Sequence, residues 1–177
     1  VYEEAKNNPE CYVENYSFDI THLSSQVSKP YSPDNTVSIC DLKEEIKIDQ
    51  ALIGTCAGGN LNDLRLAARV LKDRKVHPSV LFLIIPASKR IYYQALKEGL
   101  FEVFLKAGGI ILNPNCGPCA GMHQGVLAAG NTLISTQNRN YKGRTGHADS
   151  KTYLASPLTV AASAIEGRIV SAERYLQ

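Results

Sequence analysis

The chain has 177 residues, 44% of them apolar and 20% charged, enough for one core of ordinary size and too few for two full catalytic domains. Nineteen Lys and Arg against seventeen Asp and Glu give a formal charge of +2. Neither sign forms a block, so bulk charge argues for neither nucleic acid nor a membrane surface, and no apolar run approaches the ~18 residues of a membrane span.

Val1-Tyr2-Glu3-Glu4-Ala5-Lys6 lacks the apolar core of a secretory signal and the Arg/Ser-rich character of a transit peptide, so a cytoplasmic or organelle-matrix setting is expected. The one methionine is Met122, which suits either loss of the initiator or a fragment of something longer. Residues 1–35, with the turn cluster Pro30-Tyr31-Ser32-Pro33-Asp34-Asn35, read as an extended lead-in segment, and residues 36–177 as the folded domain.

From Gln50 the pattern changes. Ala51-Leu52-Ile53 is a short strand closed by Gly54, and a Gly-containing loop runs to Asn60. Leu61, Leu64, Ala68 and Leu71 then recur at helical spacing, with Lys72 and Arg74 near the end that favours cations. Residues 80–85 predict a buried strand, 87–100 a helical stretch, 101–107 a further short helix and 109–112 a third strand. A loop with two cysteines follows, leading into an expected small-residue helix with Gly117, Gly121 and Gly125 on one face. Residues 132–136 read as a fourth strand, 137–151 as a long polar loop, and Tyr153-Leu154-Ala155 as a fifth strand. Ser156-Pro157 then opens the last helix as N-cap and first helical residue. Such alternation predicts a three-layer α/β/α domain, helices on both faces of a mainly parallel sheet.

Ligands of open parallel sheets bind beyond the carboxyl ends of the strands. Every chemically interesting loop here follows a strand: Cys56 the first, Cys116 and Cys119 the third, Asn138-Arg139-Asn140 and Arg144 the fourth, Ser156 the fifth. Three thiolates on one site leave a four-coordinate centre incomplete, and in an iron–sulfur cube they leave one iron open. Cys119 is expected at a helix start, where backbone N–H groups would lower its pKa. Arg139 and Arg144 suit a di- or tricarboxylate, because the planar guanidinium pairs bidentately with carboxylate.

Other readings compete at the same residues. Cys116-Gly117-Pro118-Cys119 matches the thioredoxin active site, although no Trp precedes it. The segment from Gly54 to Leu61 has the outline of a phosphate loop but places Asn60 and Leu61 where Lys and Ser/Thr are needed. His123 or His147 could complete a zinc site, and the bland alternative makes Cys56 a small packing residue. Tyr92 and Tyr93 read as helix packing, Arg168 and Arg174 as surface charge, Asp63 as support for its helix start, and Cys11 and Cys40 as spectators.

Over residues 35–169 the sequence resembles the aconitase and isopropylmalate dehydratase family, specifically the third domain of the catalytic large chain. The resemblance is carried by Ile53-Gly54-Thr55-Cys56, Asn115-Cys116-Gly117-Pro118-Cys119-Ala120-Gly121-Met122, the run from Ser135 to Arg144 around Asn138-Arg139-Asn140, and Leu154-Ala155-Ser156-Pro157. It implies that Cys56, Cys116 and Cys119 hold a [4Fe-4S] cluster whose open iron drives reversible dehydration and hydration of a hydroxy acid. Asn138 would lie against the cluster, and Arg139, Arg144 and Ser156 would bind substrate. The first ligand sits in Gly54-Thr55-Cys56-Ala57-Gly58-Gly59-Asn60, where the family shows Gly-Ser-Cys-Thr-Asn-Gly-Arg or a close variant. The resemblance also implies partners, namely the remaining domains of the large chain and a small swivelling domain or subunit that carries the catalytic base. No catalytic base is assigned in this chain, which alone is expected to lack turnover. A non-catalytic metal- or partner-binding module of the same ancestry is the competing expectation.

Overall fold

A computed structural model describes residues 13–176. The reading of residues 1–6 and of Cys11 falls outside the described residues. Seven strands form one sheet: β1 (Gln26–Ser28), β2 (Thr36–Ser38), β3 (Gln50–Gly54), β4 (Leu81–Ile85), β5 (Ile110–Ile111), β6 (Thr132–Ser135) and β7 (Lys151–Ala155), in the spatial order β2-β1-β7-β6-β3-β4-β5. The five strands from β7 to β5 are parallel, while β1 pairs antiparallel with both β2 and β7. The mainly parallel α/β sheet expected from the alternation is therefore the observed one. Part of the expected lead-in adds an antiparallel edge through β1, where Val27 is buried.

The inner strands read as unbroken apolar runs because both faces of the sheet are covered. On one face Ala51, Ile53, Phe82, Ile84, Ile134 and Tyr153 meet helices α2 (Leu61–Leu71), α3 (Lys89–Lys97), α4 (Leu100–Ala107) and α5 (Pro157–Glu166). Leu64, Ala67 and Leu71 supply the buried stripe of α2, Phe101 and Phe104 that of α4, and Val160, Ala161 and Ala164 that of α5. On the other face Leu52, Leu83, Ile85 and Leu133 pack with Leu127 and Leu112. There the cover is the chain between residues 112 and 130 with its one 3-10 turn, Gly117–Ala120.

That second cover corrects the expected small-residue helix. Gly117, Gly121 and Gly125 have φ of 53°, 67° and 85°, left-handed conformations that end a helix rather than line one face of it. The last helix starts at Ser156-Pro157 as expected, and α2 takes Asn60 as its cap. Asn60 Oδ1 accepts from the N–H groups of Asn62 and Asp63, and Ser156 Oγ accepts from that of Thr159 with Pro157 in the first turn. Tyr92 packs edge-on against Phe101, ring centroids 4.7 Å apart, whereas Tyr93 is exposed under Lys97. No described helix is long and apolar enough to cross a membrane.

The chain runs from β3 outward to β4 and β5, then returns to the other side of β3 for β6 and β7. The crevice where strand order reverses therefore lies at the carboxyl ends of β3 and β6.

Candidate functional site

The Cys56 turn is built by close backbone approach. β3 ends at Gly54, where a Cβ would stand 2.2 Å from the carbonyl oxygen of Ile85 at the end of β4. The short helix α1 (Thr55–Gly58) follows, and a Cβ on Gly58 would stand 2.3 Å from that of Thr136. Thr136, just past β6, closes the turn: its Oγ1 accepts from Gly54 N at 2.9 Å and donates to Gly58 O at 3.2 Å. Thr55 is held at φ 67° with its Oγ1 buried and unpartnered. A β-branched residue in that region is strained. Cys56, the next residue, is free and exposed.

The second cysteine loop reaches the same place from β5. Leu112 N donates to Ile84 O at 2.9 Å, the side chain of Asn115 accepts from Gly117 N, and Gly117 rests against Ile85 Cδ1. Cys119 N donates to Cys116 O at 3.0 Å, closing the 3-10 turn. Cys116 is exposed and Cys119 is buried, and neither is in a disulfide. Ile85, fully buried at the end of β4, is thus the common anchor of both loops.

Cys119 senses the other two thiols electrostatically: negative charge on Cys56 or Cys116 raises its pKa. The dominant influence on Cys119 is burial, which pushes its thiol above the ordinary value, while the hydrogen bond and charge of Arg144 oppose it. The expected lowering by a helix start is corrected on this point. A four-residue 3-10 turn presents no helix dipole, and burial disfavours the thiolate. Among the described residues, no three His, Cys, Asp or Glu side chains converge on the position of a single metal ion.

Arg144 joins the cysteine loop directly, its Nε donating to Cys119 O at 2.7 Å. Arg139 and Asn138 are exposed beyond β6 and pair with each other, Arg139 Nη1 donating to Asn138 Oδ1 at 3.0 Å. Neither is hydrogen-bonded to a cysteine loop in the structure. Ser156 is exposed at the end of β7, with its hydroxyl engaged in capping α5. The structure therefore brings Cys56, Cys116, Cys119 and Arg144 together, and sets Asn138, Arg139 and Ser156 at neighbouring strand ends. Asp63 supports its helix start through Asn60, and Cys40 is exposed elsewhere. A cleft of about 550 Å³ between residues 41–47 and the starts of β6 and β7 contains none of these residues.

Sequence reasoning passed over Ile85, Thr136 and Gln50. Gln50 is buried, and its Nε2 donates to Gly125 O at 2.9 Å, holding the cysteine loop from beneath. A polar residue at the start of an otherwise apolar strand was the available signal.

The model of the aconitase family (aconitate hydratase) matches residues 1–167. The chain belongs to the aconitase family. Its relatives include "3-isopropylmalate dehydratase large subunit 2" of Archaeoglobus fulgidus, 48% identical over 98% of this chain and 40% of the relative. "3-isopropylmalate dehydratase large subunit 1" of Pyrococcus furiosus is 50% identical over 94% of this chain and 39% of its own length. "Methanogen homoaconitase large subunit" of Methanocaldococcus jannaschii is 51% identical over 90% and 38%. The chain spans about two fifths of the length of the curated relatives it matches.

Proposed function

We propose that this chain is the cluster-carrying part of an aconitase-type hydro-lyase, acting on a hydroxy di- or tricarboxylic acid such as isopropylmalate. One observation carries the reading. In a chain of this family, three free cysteines stand on two loops that both pack against the end of β4, with Cys56 and Cys116 near enough to Cys119 for their charge to raise its pKa. Cys56, Cys116 and Cys119 would hold a [4Fe-4S] cluster. The donor set suits such a group better than a closed zinc site, because each thiolate of a cluster takes a different iron and the thiols need not converge on a point. When bound, the cluster supplies one open iron as a Lewis acid for the loss and re-addition of water.

The chain's own residues then bind and orient. Arg144, with Nε committed to Cys119 O, has its two Nη groups available for a substrate carboxylate beside the cysteines. Arg139 supplies a second guanidinium at the adjacent strand end, and Ser156 a hydroxyl. Asn138, whose Oδ1 is taken by Arg139, has its NH2 available to a sulfur of the cluster. The proton acceptor would come from a separate domain or small subunit. The working enzyme would also need the remaining domains of the large chain, and it would operate in the cytoplasm. Alone, the chain would lack turnover.

Anaerobic reconstitution with iron and sulfide tests this directly. Four irons per chain with a cubane spectrum, lost in Cys56→Ser, is the expected result. One zinc per chain, or a Cys116–Cys119 disulfide cycling without iron uptake, would overturn it.

A further inference from the structure

The loop from residue 137 to 145 carries both arginines of the proposed site, yet it has no secondary structure of its own to hold them. Its rigidity comes from elsewhere in the chain. Asn140, 1% exposed, lies between Arg139 and Arg144 in sequence and points inward. Its Nδ2 donates to Lys29 O at 2.9 Å, and lies 3.3 Å from both Ser28 Oγ and Thr152 O. Two hydrogens serve three acceptors on β1, on the residue after it and on β7, so the longer pair shares one of them. The next residue continues the contact: Tyr141 forms a parallel bridge with Tyr31, and Lys142 Nζ stands 5.9 Å from the Tyr31 ring centroid. Beyond it, Arg144 N donates to Tyr141 O at 2.9 Å, and Thr145 Oγ1 meets Thr152 Oγ1 at 2.7 Å.

A buried asparagine is a costly way to fill this space, because its Oδ1 has no partner. An orphaned buried acceptor is destabilising, and what offsets it is the hydrogen bond from Nδ2 to Lys29 O, which an apolar side chain of similar size could not make. What the amide adds is direction, since its donors can be satisfied in one loop position only.

We infer that Asn140 is a positioning residue: it keys the arginine loop to residues 28–31 and to β7, so that docking of the lead-in segment sets where the Arg139 and Arg144 guanidinium groups stand. The inference rests on the carboxylate-binding reading for its functional meaning, and on the hydrogen bonds alone for its geometry.

Amide exchange by NMR on the whole 177-residue chain, labelled with nitrogen-15, tests the geometry. In Asn140→Leu the amide of Arg144 should exchange about tenfold faster while those of Leu52 and Leu83 in the core are unchanged. The Arg144 Nε–H signal should broaden as its bond to Cys119 O loosens. Ser28→Ala removes one acceptor from the opposite side and should give a smaller change in the same direction, which keeps the test decisive if Asn140→Leu folds poorly. Unaltered exchange at Arg144, or acceleration shared equally by the core amides in both variants, would overturn the inference. Titration of the cluster-loaded chain with 2-isopropylmalate separates the two readings. About tenfold weaker binding by the variant at unchanged core protection supports both. No binding by the wild-type chain removes the carboxylate reading and leaves the exchange result to decide the positioning role.

Discussion

The thiol of Cys119 is pushed upward by burial and pulled back by Arg144, and the balance is measurable because the thiolate is the reactive form. In the metal-free chain, iodoacetamide should modify the exposed Cys56 and Cys116 before Cys119. Replacing Arg144 by Met should slow Cys119 further, since the cation opposing burial is gone; peptide mass mapping over a pH series reads both. The sign for stability follows. A group whose folded pKa lies above its unfolded one favours the fold while it stays protonated, so this contribution is lost as pH rises through the raised value. Nearby, Gly54→Ala would drive a methyl group against the Ile85 carbonyl. We expect a loss of roughly 3 kcal/mol in urea unfolding.

At the scale of elements, the end of β4 matters more than its burial alone suggests. Ile85 and Leu64 are both fully buried, and truncation of either to Ala should cost about 2–5 kcal/mol. Of the two, only Ile85 supports a cysteine loop with its side chain, which meets Gly117, while the Cys56 turn rests on its backbone. At matched stability loss, Ile85→Ala should therefore retain fewer irons per chain than Leu64→Ala after reconstitution and desalting. Equal retention would show that the Cys116–Cys119 loop holds its shape without that side chain. Ser156 makes a second case, because its hydroxyl caps α5. Ser156→Ala should cost about 1 kcal/mol, and Ser156→Thr should recover most of it by the same unfolding measurement.

At the scale of the whole molecule, residues 13–23 bury little. Val13, Tyr16, Phe18, Ile20 and Leu23 are 66–100% exposed. An apolar surface of this kind without a cover promotes association. Sedimentation should show concentration-dependent self-association of the chain, reduced by Phe18→Ser with Ile20→Ser. The melting temperature should move by no more than about 2 °C, because exposed side chains add little to the fold.

By itself the sequence determined the alternation of strands and helices, the cap at Ser156, and the family, because apolar periodicity, turn chemistry and short motifs are local properties. It also determined that Cys56, Cys116, Cys119, Arg139 and Arg144 all follow strands. Strand order, however, depends on packing between residues far apart in the chain. Only the tertiary structure decided that β1 joins β7, that Ile85 anchors two loops, and that Asn140 reaches back 111 residues to Lys29. The misread helix around Gly117, Gly121 and Gly125 has the same origin. Glycines at intervals of four suit a close-packed helix or a succession of left-handed turns equally well, and the face of the sheet beneath them made the choice.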